Sequence, residues 1–216
     1  MPDKVDFKKD YKDLYLPKTK AMLIDVPEMQ FIMVDGTGDP NSEAYQQAIA
    51  ILYALTFTIK MSKMSGKQPP GYYEYVVPPL EGLWWIAGGA FSFEQRENWL
   101  WTSMIRQPEF VTPAVFDWAV EECGRKKPEL DLARARLTTI TEGLCVQIMH
   151  IGSYTEEPRS VELMKTFMAE NNLIDETGSE RKHHEIYLSD PRKTDPEKLK
   201  TVLRHPVASG GRNQEK

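Results

Sequence analysis

Tyr45, Ala48, Ile49, Leu52, Leu55 and Ile59 recur three and four residues apart, the spacing of one helix face. Asn41 or Ser42 stands where that helix needs a cap. Gly66 and then Pro69-Pro70-Gly71 end the pattern. Ahead of it, Met29 to Asp35 reads as a strand, closed by a turn at Gly36-Thr37-Gly38-Asp39-Pro40. Behind it, Tyr72 to Val77 alternates with period two. Pro78-Pro79 turns the chain, and Gly82 to Gly89, with Leu83, Trp84, Trp85 and Ile86, reads as another strand. The second half has the same order. Leu137–Thr141 and Cys145–Ile151 read as strands, and Val161, Met164, Phe167 and Met168 form a helical stripe with Ser160 as the expected cap. His183–Leu188 and Thr201–His205 read as the last strands.

Two segments suggest that the halves are copies. His183–Lys193 falls on Tyr72–Gly82 at an offset of 111, which superposes Glu185 on Glu74, and Ile32–Gly36 falls on Ile148–Gly152 at an offset of 116. The predicted fold class is α+β. Two pseudo-symmetric strand-helix-strand-strand repeats, about 29–90 and 136–207, form one antiparallel sheet with helices on one face. Residues 93–133 are read as a helical insertion, including a helix over Glu94–Arg106 and another after the cap Thr112-Pro113. Residues 1–208 are expected to make a single domain, and 209–216 a disordered tail.

Alternation puts His183, Glu185 and Tyr187 on one side of their strand and His184, Ile186 and Leu188 on the other. The second set suits packing on a helix. Glu185, and with it Glu74, is therefore expected on the face away from the helices, which is either solvated or roofed by the tryptophan-rich insertion into a pocket. Such a pocket has aromatic walls and a carboxylate floor. Aromatic faces attract flat or cationic ligands, at about 0.5–2 kcal/mol per contact, and a desolvated carboxylate favours a cation. Burial also raises its pKa toward the range of a general base.

Composition narrows the classes. A net charge of −5 argues against a nucleic-acid partner. Two cysteines, Cys123 and Cys145, make no disulfide framework, and the charged N-terminus has no signal-peptide core, so a cytoplasmic protein is expected. No apolar run approaches the length of a membrane span, so no membrane partner is expected. The neighbours His183 and His184 point to opposite faces, so no metal site and no cofactor are expected.

The paired repeats, the segment HHEIYLSDP at 183–191 and Ile-Gly-Ser-Tyr at 151–154 resemble the GyrI-like small-molecule-binding proteins over about residues 20–207. The resemblance implies a ligand cleft between the repeats, and Glu185 sits in the strand whose buried glutamate binds lipophilic cations in multidrug-sensing regulators. With no room for DNA-binding helices before residue 20, a stand-alone binding domain is expected. The partner implied is a lipophilic aromatic or cationic small molecule. The ligand-binding set expected is Glu185, Glu74, Tyr72, Trp85, Trp99, Trp101, Phe110, Met149, His150 and His183. Stand-alone members also include hydrolases of cyclopropane-bearing DNA-alkylating natural products. On that alternative Glu185 activates water, and Tyr187 or Tyr154 hydrogen-bonds the developing oxyanion. A third reading, from the family's name, is an adaptor for a protein such as a topoisomerase.

Overall fold

The structure is a computed structural model and describes residues 4–87 and 96–210. Two one-turn helices, α1 (Phe7–Asp10) and α2 (Lys12–Tyr15), lead into β1 (Met22–Thr37) and α3 (Glu43–Lys60). Then come β2 (Leu80–Ile86), β3 (Trp99–Arg106), α4 (Pro113–Lys126), β4 (Ala135–Ile151) and α5 (Glu157–Glu170). The chain ends with β5 (Leu173–Asp175), β6 (His183–Tyr187) and β7 (Lys200–Ser209).

All strand pairings are antiparallel, in the order β4-β1-β3-β2-β6-β7-β5, and β4 also pairs with β7. The sheet thus closes into a barrel. The long strands β1 and β4 make closure possible because each serves two neighbours along its length. The β1–β4 ladder skips Pro27 and Glu142, between Val26↔Gly143 and Glu28↔Thr141. Pro27 has no N–H to give, and Gly143 takes the left-handed φ of 65° that the interruption requires.

The predicted duplication is present as architecture. Exchanging β1 with β4, β2 with β6 and β3 with β7 maps the ring of strands onto itself. The correspondence of Glu74 with Glu185 is corrected, however. The partner of β6 is β2, and Gly82 lies directly opposite Glu185. Residues 72–77 form no strand. Prolines on both sides exclude a ladder, and only Tyr75 makes an isolated bridge, to Val5.

Two further expectations change. Glu94–Arg106 is not a helix: a single 3-10 turn at Arg96–Asn98 leads into strand β3, and residues 93–95 lie outside the described residues. The apolar run through Trp99–Arg106 has no helical period to distinguish it from a buried strand. Among its described residues the insertion has one α-helix, α4, capped as expected by the Thr112 hydroxyl, which accepts from Val115 N. The cap expected at Ser160 also moves. α5 begins at Glu157, behind a capping box made by Ser153 and Glu156. Of the expected tail, Ser209 ends β7, Gly210 N donates to Asn172 O, and residues 211–216 lie outside the described residues.

The larger core lies mainly between β1, β3 and α3, with Phe31, Ile32, Val34, Leu52, Leu55 and Trp101 fully buried. A second, smaller core lies under α5, where Val161, Met164 and Met168 meet Val146, Ile148, Leu203 and Val207. Among the described residues, no helix is long and apolar enough to cross a membrane.

Candidate functional site

Directly opposed residues in an antiparallel ladder share a face. Tyr187, Glu185 and His183 on β6 therefore share theirs with Leu80, Gly82 and Trp84 on β2, and Trp84 shares its face with Trp101 on β3. Tyr45 of α3 packs on Trp84 and edge-on against Trp101, at ring separations of 5.6 and 4.9 Å. The Glu185 face is thus the helix-covered face, which reverses the sequence-based assignment. The opposite face, with His184 and Ile186, is covered by α1 and α2. Tyr15 Oη donates to Glu81 Oε1 (3.2 Å) and Arg204 Nη2 to Leu14 O (3.0 Å). The alternation assigned the His184–Ile186 face to a helix of the repeat, whereas α1 and α2, in the charged N-terminal stretch, are its cover.

Between α3, the start of α5 and the face of β2–β3–β6 lies a cleft of about 680 Å³. Tyr45, Ile49, Tyr53 and Phe57 come from α3, Trp84 and Trp99 from the sheet, and Tyr154 and Glu157 from the approach to α5. Glu185 and Tyr187 are contributed by β6, and residues 188–192 come from the loop after it. Arg96 also lines it and lies 5.5 Å from the centre of the Trp99 ring.

At its inner end two carboxyl groups meet. Glu185 is 6% exposed and Glu157 2%. Tyr187 Oη donates to Glu185 Oε2 (2.7 Å) and accepts from Trp84 Nε1 (3.0 Å). Glu185 Oε1 lies 3.0 Å from His183 Nε2. Glu157 Oε1 is buried and has no hydrogen-bond partner among the described residues. Burial, and then the Glu185 charge beside it, push the Glu157 carboxyl well above the usual carboxylate range, although Arg96 opposes this. Two carboxyls so placed cannot both ionise easily, and Glu157 is the one that keeps its proton. Burial first, and then the Glu185 charge at Tyr187 and the Glu157 and Glu185 charges at Tyr154, keep both phenols protonated far beyond neutrality. Tyr45 is pushed up to about 12, chiefly by burial.

The predicted residues divide cleanly. Glu185, Tyr187, Tyr154 and Trp99 meet in the cleft. His183 lies just beneath it, bonded to Glu185. Trp101 is fully buried below Tyr45, seated over Gly36, where an added Cβ would come within 2.2 Å of the indole. Trp85 points to the other face, with Lys182 Nζ 4.8 Å from its ring centre. The tryptophan of that pair in the cleft is Trp84. Tyr72 and Phe110 pack on each other at a tilt, centroids 5.2 Å apart, outside the cleft. Glu74 is an outer ion-pair residue, with Lys60 Nζ at 3.0 Å and Lys63 Nζ at 2.6 Å. Met149 packs in the core opposite Val202, on the His184 side of the sheet. His150 is held under α5 by Ser160 Oγ (2.8 Å) and Ser153 O (3.0 Å). Glu157 was missed. Its signal is Ser153-x-x-Glu156 followed by Pro158, a capping box and an early-turn proline that set Glu157 at the start of a helix.

The fold recurs in known structures. An uncharacterized conserved protein from Listeria innocua is 54% identical, with 95% of this chain and 100% of that chain covered and a TM-score of 0.92. A hydrolase from the same organism is 52% identical over the same shares, at a TM-score of 0.88. The C-terminal domain of EcmrR is 12% identical over 88% of this chain and 98% of that one, at a TM-score of 0.54, and shares the fold. No curated protein sequence matches the chain. Residues 19–208 match the GyrI-like small molecule binding domain, and with nearly the whole closed sheet inside that span the chain belongs to the GyrI-like family.

Proposed function

We propose that this protein is a hydrolase of lipophilic, flat aromatic compounds that carry an electrophilic strained ring, the cyclopropane-bearing alkylators being the class that fits best. The observation that carries this reading is the pair Glu157 and Glu185, two buried carboxyls of unlike environment at the closed end of an aromatic cleft. A site built only to hold a neutral lipophilic molecule gains nothing from two carboxyls buried against each other. An acid–base pair needs both. The 52% identical hydrolase of Listeria innocua supports the same reading.

The roles follow from the environments. Glu157, held protonated, gives its proton to the substrate carbonyl conjugated with the ring. Glu185 takes a proton from water, whose oxygen bonds to the ring carbon. The ring C–C bond breaks, and its electron pair passes through the conjugated system to the carbonyl oxygen that Glu157 protonates. The product is the ring-opened alcohol, and one proton has moved from Glu157 to Glu185 through substrate and water. Tyr187 orients Glu185 because its hydroxyl hydrogen is committed to that carboxylate. Tyr154, whose ring meets Tyr187 edge-on at 6.0 Å, is the better placed of the two predicted tyrosines to donate to the substrate oxygen. The walls of Tyr45, Tyr53, Trp84 and Trp99 hold the flat body of the substrate.

A binding-only role is the second reading, and the two cleft carboxyls, which suit a lipophilic cation, are its support. Incubating the protein with cyclopropane-bearing aromatic alkylators and with lipophilic cations, and following products by mass spectrometry beside quenching of tryptophan fluorescence, separates the two. Water addition to the alkylators is expected; quenching without any product supports binding alone.

A further inference from the structure

Behind Glu185 a line of hydrogen bonds leaves the cleft and crosses the sheet. Glu185 Oε1 lies 3.0 Å from His183 Nε2. His183 Nδ1 lies 2.8 Å from His205 Nε2. His205 Nδ1 lies 2.9 Å from Asp175 Oδ2. The two histidines follow directly on the last ladder pair of β6 and β7, His184↔Arg204, and Val146 on β4, part of the smaller core, lies opposite His205. His183 is fully buried and His205 is 4% exposed, whereas the Asp175 side chain is 32% exposed. Two buried imidazoles thus join a buried cleft carboxyl to a carboxylate at the rim of the sheet, with water excluded between.

We propose that Asp175, His205 and His183 form a proton relay that sets the charge on Glu185. The bond pattern admits two proton arrangements with the same number of protons. In one, Glu185 is the acid. Its O–H donates to His183 Nε2, His183 Nδ1–H donates to His205 Nε2, and His205 Nδ1–H donates to Asp175. In the other, the Glu185 proton has passed to His183 Nε2 and the His183 Nδ1 proton to His205 Nε2. Glu185 is then a carboxylate, His183 is neutral with its proton on Nε2, and His205 is an imidazolium facing the Asp175 carboxylate. Two proton hops convert one into the other, and no proton is gained or lost. The imidazolium forms at the end of the line where a carboxylate waits for it.

The surroundings favour this division. Burial, only partly offset by the Glu185 hydrogen bond, depresses the His183 pKa, so the central ring conducts without holding charge. Burial would raise Asp175, but the bond from His205 and its charge bring it down to about 2, so the outer acid stays ionised. The other titratable groups facing Glu185 are Glu157 and Tyr154 near the start of α5, Tyr45 on α3 and Tyr187 on its own strand. Arg96 acts on Glu157. Beside the outer end lie Arg181 and Glu176, themselves ion-paired. The line makes Asp175, His205 and His183 positioning residues, acting through Glu185. It deepens the proposed acid–base reading, because a base reset from behind does not depend on bulk water entering the cleft.

The test needs no substrate. In the ligand-free full-length protein, labelled with 13C and 15N, long-range proton–nitrogen correlations report the tautomers of His183 and His205, and the Glu185 side-chain carbon reports its ionisation. Asp175→Asn keeps an acceptor for His205 Nδ1–H but removes the charge that stabilises the imidazolium. The protonated fraction of Glu185 at neutral pH is expected to rise severalfold. In Glu185→Gln the amide donates to His183 Nε2, which fixes the His183 proton on Nδ1. His205 is then expected to lose its imidazolium signal, and this arm stands if the Asp175 variant fails to fold. A Glu185 carbon signal unchanged in folded Asp175→Asn, or a His205 protonation state indifferent to Glu185→Gln, overturns the relay. Absence of turnover would overturn the hydrolase reading and leave these spectra as they are.

Discussion

Glu157 is the residue whose chemistry departs furthest from that of its free side chain. Its folded-state pKa lies well above the ordinary carboxylate value of 4.5, through burial and the Glu185 charge. Above that ordinary value the unfolded chain has released the proton and the folded chain has kept it. Stability from this group is therefore fully present at low pH and is lost as pH rises, by up to about 1.4 kcal/mol per pH unit. Glu157→Gln removes the ionisation. Its melting temperature should exceed that of the wild type by a margin that grows between pH 5 and pH 8, and a constant margin would show that Glu157 is not held protonated. Glu185 was legible in the sequence because it stands in a strand of strong alternation. Glu157 was less so, since a glutamate beside a glutamate in a helix start reads as a solvated pair until the capping box is used to count positions. The aromatic residues were the least legible. Alternation says that one of Trp84 and Trp85 faces the cleft, but only the register against β6 says which.

Each strand of the β2–β6 pair carries a consequence of that register. Gly82 sits opposite Glu185, and a Cβ there would come within 2.7 Å of Trp84 Nε1 and 3.1 Å of Tyr187 Oη. Gly82→Ala should keep the fold at a cost of about 1–3 kcal/mol. By displacing the hydroxyl that orients Glu185 it should also lower kcat/KM more than tenfold. Loss of stability with kcat/KM unchanged would separate that glycine from the site. On the opposite face of β6, His184 joins Glu81 (3.0 Å) and Glu142 (3.0 Å), with Arg204 on Glu142 at 2.7 Å. Burial alone would lower the His184 pKa, but the Glu142 charge and the two carboxylate bonds raise it to about 9. Burial would raise Glu142, but His184 and Arg204 bring it down to about 2. The histidine's contribution is full below about 6.5 and lost as pH rises through about 9, and the glutamate's is full above about 4.5 and lost as pH falls toward 2. Unfolding followed against pH should therefore give greatest support from this cluster between about pH 4.5 and 6.5. His184→Ala should cost about 3–5 kcal/mol there, because it strands buried charges. A variant as stable as the wild type at pH 6 would contradict that account. None of this cluster was legible in advance, since its members come from four strands and its cover from the short helices before Leu16.

For the whole molecule, the repeat was legible as an order of elements and misleading as an alignment. Matching sequence segments placed Glu74 on Glu185, whereas Glu74 lies outside β2, the strand that the exchange of halves brings onto β6. The halves are thus related in backbone but not in chemistry: one supplies aromatic walls from α3, β2 and β3, and the other supplies both carboxyls, from α5 and β6. Closure of the sheet was invisible to local pattern, because the β4–β7 pairing depends on how far β4 extends past β1. The cleft lies at the seam of this asymmetric pair, and its proposed purpose is to add water to a strained ring. The most direct measurement is hydrolysis of a cyclopropane-bearing aromatic alkylator in 18O-labelled water by the wild type, Glu157→Gln and Glu185→Gln. The wild type should place one labelled oxygen on the opened ring carbon. Each variant should lose about 10²- to 10⁴-fold in kcat while still binding the neutral substrate. Wild-type turnover no faster than buffer, or turnover that survives in Glu185→Gln, would contradict the account.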